Sequence, residues 1–561
     1  MPPRQRQEQS LLSSSSIHSL FHPQRRQRLL PAADDRTIVP NSHSASTNYA
    51  MTTSVLIELT SDKNRSNESI IFETLKNSGS VKCLTFCSNT FPLPDFTATC
   101  SMWAVSSLLP HLQSIIFDEL KISDWSTVLI EATTQNRKLE MHAVSCKISE
   151  SAAPALRCAL QTNRIKMFHL SDCSFSTEVI QEISAGLQNT ESLVTLSFAR
   201  LSGPLSTLIQ ATCLMIRRNA ALTDLVLNRM HLGDDDLSLI TRAIEGHQTL
   251  IALNVSSNTF GAPGIMNFMS MIRLVPTLHK VNLRYCNLNS EALTTLATRL
   301  VGNSTVQQLY LGKNEIDDAG AILFATLLRG NEVLKTLQLK QCNLSSSGFT
   351  QIVAGLASNV ALDEFAADEN QRIDGFALET YLELVRANKG PAEVDLCNTM
   401  QIVNDDLAAD FALALQRNTK LIHFTFRRVS LAGLRSIFDG LADMKLRELD
   451  ICCAHLDGFA SEDMARLLQS VKENTSICSL FVNYGDPIDA ATGEVDPLLE
   501  YYLKLNRAGR YVLKESETCM PPSLWANHLS RSSHDSDVLF YFLRMKPALV
   551  GTMTWGESQV D

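Results

Sequence analysis

Leu222-Thr223-Asp224-Leu225-Val226-Leu227 begins a spelling that returns at a fixed interval. It recurs as Leu250-x-x-Leu253-x-Val255, Leu278-x-x-Val281-x-Leu283, Val306-x-x-Leu309-x-Leu311, Leu334-x-x-Leu337-x-Leu339 and Leu362-x-x-Phe365-x-Ala367, each start 28 residues after the last. Apolar residues two apart follow the strand period, in which alternate side chains share a face. A unit this short cannot bury its own apolar face and must stack on its neighbours. A chain of 561 residues would otherwise suggest several domains, but a stacked array is one quasi-linear body.

The second half of each unit follows another period. In Asp317-Asp318-Ala319-Gly320-Ala321-Ile322-Leu323-Phe324-Ala325-Thr326-Leu327-Leu328-Arg329-Gly330-Asn331, apolar residues return every three or four positions. Acids occupy its first turn, where a helix dipole favours them. The predicted helices stop at a recurring asparagine: Asn303, Asn331, Asn359, Asn388, Asn418 and Asn474, with Asn136, Asn163, Asn189 and Asn219 earlier. Asparagine tolerates the left-handed backbone that ends helices, and this is the role expected of it here. His247 and Val275 stand where an asparagine is due, and the unit from Leu421 to Leu446 is short, so irregular structure is expected at those points.

Strand and helix alternating at 28 residues resembles the ribonuclease-inhibitor-like class of leucine-rich repeats, as in the repeat arrays of NOD-like receptors and Ran GTPase-activating proteins. The likeness runs from about Val81 to Val482 and is clearest from Leu222 to Asn370. It implies an α/β solenoid, a horseshoe with parallel strands on the concave face and helices on the convex face. Chain physics agrees, because parallel strands need crossover connections and helices cover one side of the sheet.

Residues 1–52 read as a disordered tail rich in Gln, Ser, Pro and Arg. A solvated tail, or an extension upstream of a start at Met51, is the first reading. Arg4, Arg6, Arg25, Arg26 and Arg28 against the single acid Glu8 make an organelle transit peptide the second. Residues 53–80 are expected to form an N-terminal cap, with a strand at Val55–Leu59 and a helix over Glu68–Lys76. The array of about fifteen units spans 81–484, with imperfect copies starting near Val81, Leu112, Lys138, Ile165 and Leu193, and later ones near Pro391, Leu421, Leu446 and Ile477. Residues 485–561 form a helical C-terminal cap or a docking segment, the latter resting on Trp525, Leu529, Phe540 and Phe542.

The composition is 45% apolar and 19% charged, without a run long enough to span a bilayer, so no membrane association is expected. A formal net charge of −10 offers no general footprint for nucleic acid, which needs a basic surface. Of 14 cysteines, Cys146, Cys173, Cys286 and Cys342 occupy the inward slot that Asn258, Asn314 and Asn370 fill in other units. Cys83, Cys87, Cys397, Cys452 and Cys453 are scattered over strands. No CxxC or Cys/His finger spacing exists, which points to free thiols in a reducing compartment and to no metal. Sequons at Asn64, Asn67, Asn254, Asn303, Asn343 and Asn474 have no leader peptide to make them usable. A cytoplasmic monomer is expected, with a nuclear location as the alternative.

No phosphate loop, HExxH, GxSxG or framed carboxylate pair occurs, so no enzyme activity, catalytic residue or cofactor is expected. What the sequence does specify is a surface. Positions two, four and six after each start, with the seventh at the lip, should line the concave side. Basic and aromatic residues come first: Lys280, Arg284, Tyr285, Tyr310, Lys313 and Lys340. The sign then reverses through Glu364, Asp368, Glu369, Glu393 and Asp395 and returns at His423, Arg427 and Arg428. A protein partner is expected there, with Tyr285 and Tyr310 as anchors and the charges setting orientation. Two alternative functions stand beside this scaffold reading. One is a ubiquitin-ligase substrate receptor using the C-terminal block; the other is a GTPase-activating regulator of a small GTPase, although Lys504, Arg507, Arg510 and Lys514 stand where such proteins carry acids.

Overall fold

The computed structural model describes residues 54–58, 82–87, 95–97, 112–124, 126, 129, 132–133, 138–396, 404–453, 459–484, 497–514, 529 and 535–545. The helix expected over Glu68–Lys76, together with Trp525 and Cys397, lies outside them. The strands are β1 (Ser54–Glu58), β2 (Cys83–Cys87), β3 (Asp95–Thr97), β4 (Ser114–Asp118), β5 (Lys121–Asp124), β6 (Leu139–Val144) and β7 (Lys147–Ile148). Next come β8 (Ile165–Ser171), β9 (Thr195–Ala199), β10 (Asp224–Asn228), β11 (Ala252–Asn254), β12 (Lys280–Asn282) and β13 (Gln308–Tyr310). The series ends with β14 (Thr336–Gln338), β15 (Glu364–Ala366), β16 (Glu393–Asp395), β17 (His423–Val429), β18 (Glu448–Cys453) and β19 (Ser479–Tyr484).

Sixteen of these strands form one sheet with neighbours in sequence order, broken only because β3, β5 and β7 form a separate small sheet. Every described pairing is parallel. In the regular stretch the register advances one repeat per strand: Ala252 faces Lys280, which faces Gln308, which faces Thr336 and then Glu364. Between strands runs one amphipathic helix per unit, such as Ser290–Leu300, Asp318–Gly330 and Ser346–Leu356. Leu309, Leu311, Phe324 and Leu328 of one unit are buried in a single core with their counterparts along the array. Unit-on-unit burial supplies the cohesion that no unit has alone. In the early units the short strands β3, β5 and β7 run along the connection after the main strand, and the helix Ala153–Gln161 follows β7.

Two side-chain ladders stitch the turns. After each strand, Asn258, Asn314 and Asn370 are buried. The Asn314 amide donates to the carbonyls of Leu283 and Leu311 at 2.9 and 2.7 Å and accepts the backbone N–H groups of Cys286 and Leu288 at 3.1 Å each. Asn258 and Asn370 repeat the pattern. In the cysteine units the thiol donates to the equivalent carbonyl of the previous unit, Cys286 to Val255 at 3.4 Å and Cys342 to Leu311 at 3.5 Å. Burial pushes both thiols up to about 12, so they remain protonated donors.

The second ladder corrects the role expected of the helix-ending asparagines. Among the described members of that set only Asn163 and Asn388 have positive φ; Asn331, Asn418 and Asn474 are extended. Their function lies in the side chain. Asn331 donates to Leu300 O at 2.7 Å in the previous unit and accepts from Val333 N and Leu334 N, so each amide joins two turns. Asn359, Asn418 and Asn474 do the same. The sequons at Asn303 and Asn474 are therefore buried bonding positions. His247 is no irregularity either. Its Nδ1 accepts from Leu250 N at 3.1 Å and Thr249 N at 3.3 Å, which places the proton on Nε2, 3.0 Å from Asn219 O. A neutral imidazole thus reproduces the asparagine pattern, whereas Val275, fully buried, cannot.

At the C-terminal end, Pro497–Arg507 packs on Ser461–Glu473, and Asn506 extends the ladder by donating to Ile477 O at 2.7 Å. Its Oδ1 has no partner, since the ladder stops there. Leu505, Leu529, Val538 and Phe542 form a small second core over this end, while Phe540 is 66% exposed.

Two tests follow from the ladders. Asn314→Ala should lower unfolding free energy by about 3 kcal/mol in urea titration, because two buried N–H groups lose their acceptor; Asn314→Cys should cost less. Burial holds the His247 pKa below its ordinary value, so its stabilisation is present above the unfolded value and is lost as pH falls through the folded one. His247→Asn should match the wild type at pH 7.5 and exceed it in thermal midpoint at pH 5.

Candidate functional site

The strand residues that do not enter the core face the open side of the sheet. Just beyond each strand of the regular stretch comes a residue with left-handed backbone: Arg229, Ser257, Tyr285, Lys313, Gln341 and Glu369, with φ between 51° and 57° in five of them and 61° at Lys313. A non-glycine residue in this region costs about 1 kcal/mol, and here the turn itself requires it. The N–H of Tyr285 donates to Gly312 O and that of Lys313 to Lys340 O, both at 2.8 Å. The amide is thereby fixed to the next unit while the side chain is thrown onto the lip. Sequence reasoning placed these residues at the lip but not their backbone, because none is glycine, the usual marker of positive φ.

Tyr285 is 60% exposed, with Lys313 Nζ 5.5 Å from its ring centre. Tyr310 differs from expectation. It is only 5% exposed, covered by Lys280, whose Nζ lies 5.3 Å from the ring centre, and its hydroxyl bonds Gln308 Oε1 at 3.2 Å. It is part of the floor rather than an anchor. Lys280 and Arg284 flank it on β12 and just after, half-buried.

Lys340 is spent inside the protein, clasped between Asp368 and Glu369, the latter at 2.7 Å. Asp368 is buried, and its carboxyl is pushed up to about 6, first by burial and then by Asp395, with Lys340 opposing. Glu364 accepts from Gln338 Nε2 at 2.7 Å and Thr336 Oγ1 at 3.1 Å. Glu393 is raised above the carboxylate range by burial and by Glu364 beside it. Asp395 and Glu393 pair in register with Thr425 and His423 of β17. His423 lies 3.8 Å from Glu448 and 3.7 Å from Asp450, and the hydrogen bond to Asp450 raises its pKa and favours its protonated form. The backbones of Arg427 and Arg428 belong to β17, and their side chains lie outside the described positions. Among the described side chains the candidate residues thus separate into a cationic zone over β10–β13 and an acidic zone over β15 and β16.

Further along the sheet the reading missed a third zone. His142 and His169 are neighbours with ring centres 5.6 Å apart, and His169 Nδ1 meets Ser197 Oγ at 2.8 Å. Burial, then His142, pushes His169 down to about 3. Among the described residues no group of three or more His, Cys, Asp or Glu could hold a metal, and no helix is long and apolar enough to cross a membrane.

A family model described as "Leucine Rich repeat" matches residues 246–269 and 302–325. The chain is similar to "NACHT, LRR and PYD domains-containing protein 13" of Homo sapiens, 23% identical over 312 residues, which covers 45% of this chain and 30% of that protein. It is also similar to "NACHT, LRR and PYD domains-containing protein 14" of Mus musculus, 28% identical over 255 residues, 39% of this chain and 25% of that one. Ribonuclease inhibitor of Sus scrofa is 25% identical over 215 residues, 36% of this chain and 45% of the inhibitor. The match therefore spans less than half of each of these relatives. Among solved structures, an internalin from Listeria monocytogenes overlaps 69% of this chain and 85% of its own at 13% identity, with a TM-score of 0.31.

Removing Lys340 tests the buried ion pair. Because the Asp368 pKa is raised, its ionisation weakens the fold as pH climbs from the unfolded carboxylate value through about 6. Lys340→Met should move that pKa higher still, read by carboxyl NMR titration, and should cost about 3 kcal/mol at pH 8 and less at pH 5.

Proposed function

We propose that this leucine-rich-repeat protein of the ribonuclease-inhibitor-like class is a non-enzymatic scaffold that binds a protein partner on its concave face. The observation that carries the proposal is Tyr285, exposed at the lip and backed by Lys313, beside a half-buried Lys280 and Arg284. A rigid aromatic ring held by a fixed backbone next to arginine is the composition of interface hot spots. The sheet supplies the rigidity, since the lip residues Arg229, Ser257, Tyr285, Lys313 and Gln341 are each bonded to the next unit through their own amide. A curved face of many similar strands is suited to engaging a large partner surface. The alternative of ligase docking through the C-terminal block loses support from the burial of Leu529 and Phe542 in the end cap.

Proximity labelling in cells should yield proteins tagged by the intact chain and lost from a Tyr285→Ala/Lys313→Ala variant that keeps its melting temperature. An unchanged labelling profile would sink the concave-face reading.

A further inference from the structure

Asn254 on β11 and Asn282 on β12 stand side by side in register, and Lys280 pairs with Ala252 one step along the same two strands. The oxygen of each amide is already used. Asn254 Oδ1 accepts from Ser256 N at 3.0 Å and Ser256 Oγ at 2.6 Å, and Asn282 Oδ1 accepts from Arg284 N at 3.0 Å. A backbone N–H can only donate, so both amide orientations are fixed and both Nδ2 groups are left as donors. Asn254 is 7% exposed and its Nδ2 has no partner. A buried donor without an acceptor costs about 1–3 kcal/mol, a penalty that an arriving acceptor removes.

The cations around it have the same character. Burial lowers the Lys280 pKa, with Asp224 and Glu364 acting only at longer range. Among the described residues neither Lys280 nor Arg284 has a carboxylate within ion-pair distance, in contrast to Lys340 two strands beyond. The two acids in reach are engaged elsewhere: Asp224 takes the Thr223 hydroxyl at 2.6 Å, and Glu364 takes Gln338 and Thr336. This part of the face therefore presents donors and positive charge with little to accept.

We propose that it receives an acidic segment of the protein partner. Carboxylates would sit on Lys280 and Arg284, the amides of Asn254 and Asn282 would donate to them, and an apolar or aromatic neighbour would stack on Tyr285. The proposal rests on the concave-face reading above and adds the chemistry of what binds. It favours a peptide over a nucleic acid for a geometric reason. From Arg229 to Lys313 the cationic zone crosses three strand intervals, about 14 Å. It then meets Glu364, Asp368, Glu369 and Glu393, against which a continuous phosphate backbone would be repelled. A peptide can change sign from one residue to the next.

Fluorescence anisotropy on the full-length chain tests this. The probes are short labelled peptides of Glu, Asp and Tyr, their Gln/Asn counterparts, a Lys-rich peptide and oligo-dT. The acidic peptide should bind at least roughly tenfold tighter than its neutral counterpart. Arg284→Glu and Lys280→Gln should each cost about tenfold, while Lys472→Glu on a convex helix should leave binding unchanged. If Arg284→Glu fails to fold, Lys280→Gln carries the comparison. Equal affinity for acidic and neutral peptides, indifference to the substitutions, or tighter binding of oligo-dT would overturn the proposal. Binding of the Lys-rich peptide alone would also overturn it while leaving the concave-face reading intact; that reading falls only with the Tyr285 labelling result.

Discussion

A repeat unit of this protein cannot satisfy its own turns. The N–H groups at Cys286 and Leu288 need the Oδ1 of Asn314, and the carbonyl of Leu300 needs the amide of Asn331. Unpaired buried backbone groups are costly, so the stack is demanded by hydrogen-bond satisfaction as well as by apolar burial. Asparagine suits both ladder sites because one planar group offers donors on one side and an acceptor on the other. The substitutions that occur keep part of this logic: His247 retains both roles in its neutral form, and Cys286 and Cys342 retain the donor role.

The same register decides which concave charges meet. Lys340 sits on the strand next to Asp368 and Glu369, and its charge is consumed there. Lys280 and Arg284 border strands that carry Ala252, Asn254 and Gly312, which give them no carboxylate. Nearly identical residue types therefore have opposite consequences: one closes a buried ion pair, the others leave charge facing outward. Burial first, and neighbouring acids second, lifts the carboxyls of Asp368 and Glu393, while burial lowers Lys280, so both zones are desolvated and differ in sign.

The fold was legible because its causes are local and periodic. Apolar residues at Leu309 and Leu311 alternate as strands require, and the spacing from Asp318 to Leu328 is helical. What escaped the sequence were features set by one unit's contact with the next. The extended backbone of Asn331, the imitation by His247, and the left-handed lip at Tyr285 and Lys313 depend on where a neighbour's carbonyl lies, and composition does not encode that. The candidate face was legible as a set of residues but not as a surface. Tyr285 and Tyr310 occupy different slots of the repeat, one at the lip and one on the strand, and only packing shows that Lys280 covers the second.

Val275 gives the array an uneven seam. Apolar packing continues across it, since the helices Asp234–Ile244 and Ala262–Ile272 remain in contact. The side-chain amide that ties helix ends elsewhere is missing there, and Thr277 Oγ1 supplies the polar tie instead, donating to Leu250 O at 2.8 Å. In a one-dimensional stack, cooperativity travels through nearest-neighbour coupling. The joint lies beside Asn254 and Asn282, so the donor patch straddles a seam held by a hydroxyl and by apolar contact instead of by an amide.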